Sequence, residues 1–181
     1  MRKLIYLLVL LGCLSAFFGC AKENIKNDSQ GTQQQVQLNT KQNFIIYRAA
    51  ANGTEVLLPE KIQVDNNGKP IWENALIALV TTKPQDAKYD DVVPIGTKLL
   101  GLTVKDGLAQ ANFSKELAKK GQGSYQEMML VYAIVNTLTE FPEIKKVQIL
   151  LEGKKALTLS GHMDIEEPLS RNITLLTSKV K

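Results

Sequence analysis

The chain has 181 residues, with 22 Lys and Arg against 18 Asp and Glu, one His and two Cys. Both cysteines, Cys13 and Cys20, lie in the first twenty residues, so the rest of the chain can hold neither a disulfide nor a thiolate metal site. The formal charge of +4 is spread along the chain without a basic stripe or interleaved aromatics, which excludes a nucleic-acid binder of the electrostatic kind.

The first segment reads as an export signal. Arg2-Lys3 precede an apolar run from Leu4 to Leu11 that continues through Phe18, and no acidic residue comes before Glu23. A basic start, an apolar stretch and a small residue at a cut site describe a secretory signal. The run is interrupted by Gly12, Cys13 and Ser15 and is short for a membrane-spanning helix. Gly19-Cys20, followed by polar Ala21-Lys22-Glu23-Asn24, resembles a bacterial lipobox, although Phe17 and Phe18 stand where Leu and a small residue are usual. That resemblance implies cleavage after Gly19 and lipidation of Cys20. Leu10-Leu11-Gly12-Cys13 is a second candidate, but cutting there leaves Leu14 to Phe18 at the mature end and an apolar run of only about eight residues. Cys20 is preferred, and an uncleaved anchor with two inert cysteines is the rival reading. Two or three acyl chains hold a protein nearly irreversibly. The first expected partner is therefore the lipid bilayer, with the chain on the extracytoplasmic face of the cell membrane.

Removal of residues 1–19 leaves 162 residues and takes Arg2 and Lys3 with it, so 20 basic residues face 18 acidic ones, a net +2. Residues 20–42 are dominated by Lys, Asn, Gln, Ser and Thr and read as a flexible tether. Residues 43–181, 139 in number, are enough for one domain with a real core.

Within that domain Phe44 to Ala49 and Val56-Leu57-Leu58 flank the turn signal Ala51-Asn52-Gly53-Thr54, which predicts a hairpin. Asn66-Asn67-Gly68-Lys69-Pro70 closes it, and Ile71, Ala75, Leu76 and Leu79 then recur at helical spacing, predicting a helix over about Ile71 to Thr81. Lys83 to Thr97 reads as a loop. Lys98 to Lys105 and Leu108 to Phe113 flank Asp106-Gly107, a dipeptide suited to a type I′ turn. The resulting register sets Val104 against Ala109, Leu102 against Ala111 and Leu100 against Phe113 on an apolar face, with Thr103 against Gln110 and Gly101 against Asn112 on a polar one. Ser124 and Glu127 have capping-box spacing, and Met128, Val131, Tyr132, Val135 and Leu138 form the stripe of a second helix, ended by Pro142. Val147, Ile149 and Leu151 alternate as a strand, followed by a Gly153 turn and a last apolar strand from Ala156 to Leu159. The order ββαββαββ predicts a two-layer α/β sandwich with both helices on one face of a mixed sheet.

Chemistry is sparse. His162 is the one histidine, in Ser160-Gly161-His162-Met163-Asp164, and the reading preferred for that stretch is a polar turn over a catalytic triad. Asp164, Glu166 and Glu167 make at most a weak oxygen site, and no calcium loop is present, so no metal and no cofactor is expected. Asp90-Asp91 with Glu140 and Glu143 could supply the two carboxylates of a wall-directed hydrolase. Gly121-Gln122-Gly123-Ser124 lacks the lysine and spacing of a phosphate loop. Trp72 reads as core or rim packing.

Five segments together resemble one family: Val93-Pro94-Ile95-Gly96-Thr97-Lys98-Leu99-Leu100, Val104 to Glu116, Ala133-Ile134-Val135-Asn136-Thr137-Leu138-Thr139-Glu140-Phe141-Pro142, Val147 to Gly153, and Leu159 to Leu169. They are similar to the GerMN domain of GerM-type sporulation and spore-germination lipoproteins, over roughly Asn43 to Arg171. GerM carries two such domains in tandem, and this chain carries one. The resemblance implies a fold like that of the ring-building domains of secretion-type complexes. It also implies a non-enzymatic module of envelope assembly that associates with envelope proteins, with itself or with peptidoglycan. His162 and Asp164 then belong to a fold-defining turn. A wall hydrolase using surface carboxylates remains the alternative.

Overall fold

A computed structural model describes residues 41–118 and 123–176, which belong to one compact unit, Leu38–Lys181. The expectations for Cys13, Cys20, residues 21–40 of the tether and Gly121-Gln122 lie outside the described residues.

The first hairpin forms as predicted. Strand β1 (Lys41–Ala50) pairs antiparallel with β2 (Leu57–Asp65), from Lys41↔Asp65 to Ala49↔Leu57. Asn52 Oδ1 accepts from Thr54 N at 3.1 Å and Thr54 Oγ1 at 2.6 Å, the self-capping for which asparagine is favoured in turns. Helix α1 spans Ile71–Thr81, as its apolar spacing predicts, and starts directly after Pro70. The stretch read as a loop from Lys83 to Thr97 holds one short strand, β3 (Tyr89–Asp90), which pairs with Ala50 and Ala49 on the free side of β1. Two residues are too few to leave an alternation in the sequence.

The second sheet contains β4 (Leu99–Lys105), β5 (Leu108–Phe113), β6 (Lys146–Leu151) and β7 (Lys154–Lys155) in that order, with β8 (Leu169–Ser170) also on β6. Asp106 (φ +51°) and Gly107 (φ +80°) give the two left-handed residues that a type I′ turn requires. Four of the five expected pairs are found: Val104↔Ala109, Thr103↔Gln110, Leu102↔Ala111 and Gly101↔Asn112. The fifth is corrected. Leu99, not Leu100, faces Phe113, because an irregularity between Leu99 and Gly101 inserts a residue. Leu99 thereby packs against the core while Leu100 is turned out. A Cβ on Gly107 would meet the Lys145 side chain at 3.3 Å in a backbone conformation that disfavours L residues. Gly107→Ala is expected to cost about 1–2 kcal/mol in chemical denaturation; a change below a few tenths would contradict the turn assignment.

Helix α2 (Ser124–Leu138) connects β5 to β6, which run parallel, so β5–α2–β6 is a crossover unit. The expected stripe is only part of its buried surface. Met128 and Tyr132 are half-buried, whereas Met129, Leu130, Ala133 and Ile134 are fully enclosed beside Val131, Val135 and Leu138. A helix apolar on all sides needs cover on all sides. α2 finds it against β1 and β2 of one sheet, β6 and β8 of the other, and α1. α1 likewise touches β1, β2 and β4. The α/β class, the two helices and the mixed sheet are thus as expected, with the strands divided into two sheets that both meet the helices. α2 stops at Leu138, before Pro142, where Thr139 N and Thr139 Oγ1 both donate to Val135 O at 2.9 and 2.7 Å.

The expected strand from Ala156 to Leu159 is absent. After the turn at Glu152 (φ +48°) and Gly153 (φ +78°), only Lys154–Lys155 pairs with β6, and residues 156–168 leave the ladder as a strap before β8.

Candidate functional site

Two arrangements stand out. The first is an exposed apolar residue on the turn that leads into an edge strand. Val92 and Val93 are buried, and the chain then makes a tight turn in which Pro94 O accepts from Thr97 N at 3.1 Å and Thr97 Oγ1 at 2.7 Å. Gly96 at φ +90° takes the position that needs a left-handed residue in a type II turn. This places Ile95 at the tip, 97% exposed. Leu100, at the irregularity of β4, is also exposed. β4 ends the second sheet, and no strand among the described residues pairs with its outer side. The tight turn makes Lys105 and Leu108 a hydrogen-bonded pair, and by alternation the backbone groups of Val104 and Leu102 point outward. An exposed apolar side chain on a tight turn and an edge strand with outward backbone groups are each suited to docking a protein.

The second arrangement is built around Glu127, which is fully buried in the first turns of α2. In place of reaching back to Ser124 as a capping box would, its carboxylate takes donors from the strap. Oε1 accepts from Leu159 N at 2.8 Å and Ser160 N at 3.0 Å, and Oε2 accepts from Ser160 Oγ at 2.8 Å and His162 N at 2.9 Å. Gly123, not Ser124, occupies the N-cap position, without a side-chain cap. The capping-box reading is corrected because a buried carboxylate must be satisfied on both oxygens, and four strap donors do so. Burial opposes the ionisation of Glu127, but the hydrogen bonds from Ser160, His162 and Leu159 overcome it and hold its pKa below the ordinary value of 4.5. A carboxylate with a depressed folded value stabilises the closed strap fully above its unfolded value, and that contribution is lost as pH falls through the folded one.

The residues singled out for chemistry fall apart accordingly. The Ser160 hydroxyl donates to Glu127, and His162 meets the same carboxylate through its backbone N–H. Asp164 Oδ1 accepts from Glu166 N within the strap at 2.9 Å. Asp90 is exposed on β3, and Asp91 lies 3.6 Å from Arg48 Nη1. Glu140 Oε2 accepts from Tyr47 Oη at 2.8 Å and pairs with Arg171 Nη2 at 2.6 Å. Burial, with the hydrogen bond to Glu140, pushes the Tyr47 phenol up, so it stays a donor at neutral pH. Glu143 is exposed beyond α2. Asp90 and Glu140 thus sit in separate environments. Trp72 packs edge-on against Phe141 with centroids 6.5 Å apart, a rim contact as expected. Among the described residues no group of three or more His, Cys, Asp or Glu is placed to hold a metal.

Residues 45–157 match the family Germane, described as sporulation and spore germination. The chain belongs to the Germane family. No curated protein matches it. Solved structures similar to the Germane domain include a candidate lipoprotein of Clostridium perfringens, at 26% identity over 74% of this chain and 89% of that one, with a TM-score of 0.51. The first GerMN domain of the sporulation protein GerM from Bacillus subtilis matches at 24% identity, over 72% of this chain and 98% of that one, with a TM-score of 0.61. The tandem GerMN domains of the same protein match at 23% identity and a TM-score of 0.62, with 72% of this chain against 46% of that one. At these identities the two GerM likenesses show a shared fold, and this chain spans about half of the tandem pair.

The strap residues 158–168 lie beyond the matched segment of the Germane domain, although Glu127, which holds them, lies inside it. Sequence reasoning missed the exposure of Ile95 and the burial of Glu127. The signal for Ile95 was present, as an apolar residue between Pro94 and Gly96. For Glu127 no local signal exists, since its partners are 32 to 35 residues away.

Proposed function

We propose that this chain is a lipoprotein held by acylated Cys20 on the outer face of the cell membrane. Its Germane domain acts there without catalysis, as a docking module of envelope assembly in sporulation or spore germination. The observation that carries this reading is Ile95, an isoleucine 97% exposed on a hydrogen-bonded turn that leads into the edge strand β4. Exposure of that degree on a rigid turn contributes nothing to the core, whereas apolar anchors at interfaces carry much of the binding energy. The partner is an envelope protein or a second copy of the domain; peptidoglycan would be read by polar groups and leaves Ile95 without a role. Family membership supports the biological setting, and the likeness to a candidate lipoprotein supports the anchor. The hydrolase alternative gains no support, since Glu140 is engaged by Arg171 and Tyr47.

The test pairs two variants in the native cell. Cys20→Ala is expected to lose both fatty-acid label and membrane retention. Ile95→Asp is expected to keep label and melting temperature but to lose co-purifying envelope proteins by about tenfold or more, the scale of a buried apolar anchor. Retention of the same partners by Ile95→Asp would overturn the docking reading. Labelling that persists in Cys20→Ala would move the anchor to Cys13.

A further inference from the structure

The strap at 156–168 is held to the domain by apolar burial, by the exposed Lys155–Glu167 pair and by buried polar contacts, among which those of Glu127 are charged. Leu159 and Ile165 are buried and Gln148 Nε2 donates to Ile165 O at 3.1 Å, while within the strap Ile165 N donates to Leu157 O at 2.9 Å. These are neutral. Glu127 holds the strap through four hydrogen bonds, from Leu159 N, Ser160 N, Ser160 Oγ and His162 N, with both carboxylate oxygens accepting. Protonation removes the negative charge that strengthens all four bonds and makes Oε2 a donor to Ser160 Oγ, whose hydroxyl must turn round to accept, so the hold on the strap weakens. Beneath the strap, Gln148 is 1% exposed on β6, and among the described residues its Oε1 has no hydrogen-bond partner. Opening the strap lets water reach that oxygen, which offsets part of the opening cost. The strap pairs with no strand between β7 and β8, so it can leave without breaking the ladder.

We propose that Glu127 is a latch operated by its charge: ionised, it holds the 156–168 strap on the domain, and protonated, it releases the strap as a unit while β1 to β6 and both helices stay folded. The acceptor geometry carries the inference, and the depressed pKa of Glu127 agrees with it. Among the described residues Glu127 forms no ion pair with Lys146 of β6 or Lys155 of β7, and Lys155 pairs with Glu167 instead at 3.3 Å. The other titratable groups on the elements that meet there are Tyr125 and Tyr132 of α2 and His162, Asp164, Glu166 and Glu167 of the strap. Of these His162 lies in the anchored stretch itself, so its substitution is the control.

The experiment is amide hydrogen exchange on the full chain in detergent micelles, corrected for intrinsic rates, from about pH 7 down to about pH 3. In the unsubstituted chain the amides of Leu159, Ser160 and His162 are expected to lose protection by roughly tenfold or more before those of β5 and α2 change. Glu127→Gln is expected to show the unprotected strap at every pH, and His162→Asn to behave as the unsubstituted chain does. Strap amides that stay protected until β5 and α2 unfold would overturn the latch. So would a pH response that survives in Glu127→Gln or disappears in His162→Asn. Should Glu127→Gln fail to fold, the order of protection loss in the unsubstituted chain and in His162→Asn decides the matter.

Discussion

Arg48→Met is expected to destabilise the domain by about 3–5 kcal/mol, the cost of leaving a buried charge without its partner. Arg48 and Glu60 are 1% and 2% exposed, and Arg48 Nε meets Glu60 Oε2 at 2.5 Å. The guanidinium also donates through Nη2 to Thr82 O at 2.7 Å and Thr82 Oγ1 at 2.9 Å, while Glu60 Oε1 accepts from Gln85 N at 2.8 Å. One fork of donors therefore joins β1, β2, the C-terminal end of α1 and the loop that leads to β3. Its place at a helix C-terminus is favourable for a cation. Lysine cannot reproduce the fork, so Arg48→Lys is expected to fall between the two. The double change Arg48→Met with Glu60→Leu should cost less than Arg48→Met alone, because no orphaned carboxylate remains. Chemical denaturation of the three variants checks this. Equal loss in the single and double variants would show that packing, and not charge, sets the cost.

The second large effect is expected at Phe113. It is fully buried at the end of β5, opposite Leu99 of β4 and Leu151 of β6, in the main apolar cluster. Phe113→Ala removes an aromatic ring from a site ringed by fixed strands, which cannot collapse onto the space. A loss of about 3–5 kcal/mol follows from the transfer and cavity contributions together. Phe113→Leu keeps most of the volume and is expected to cost less than half as much. The readout is the denaturation midpoint at unchanged slope. A loss below about 1 kcal/mol for the alanine variant would contradict the full enclosure of Phe113 between β4 and β6.

Much of this architecture was legible in the residues. The β4–β5 hairpin was read pair by pair because Asp106-Gly107 demands one turn type, and a two-residue turn leaves one register that sorts apolar from polar. Helix α1 was readable to its ends, since Pro70 can only stand at a helix start and the spacing of Ile71, Ala75, Leu76 and Leu79 sets the face. The slip at Leu100 was not readable. A bulge changes the count by one, and both Leu99 and Leu100 suit a strand. The stripe on α2 was incomplete for a related reason: a helix buried on every side has no polar face to set the phase.

The candidate site was less legible than the fold. Ser160, His162 and Asp164 drew attention as chemical letters, yet their common feature is that the segment is held by Glu127. Glu127 in turn looked like half of a capping box, because its local spacing fitted one and its distant partners left no mark nearby. The Glu140–Arg171–Tyr47 cluster joins residues up to 124 positions apart and is equally silent in sequence.

The sequence by itself determined the hairpins, the two helices, the α/β class, the family and the expectation of a lipid anchor at Cys20. The hairpins, helices and class rest on short-range rules of turn dihedrals and strand and helix periods, whereas the family and the lipid anchor rest on the resemblance of particular segments. Only the tertiary structure decided the division into two sheets, the exposure of Ile95, the burial of Glu127 and the strap it holds. Those depend on which surfaces compete for cover once the chain is compact, and on which buried charges find donors. No local pattern encodes either.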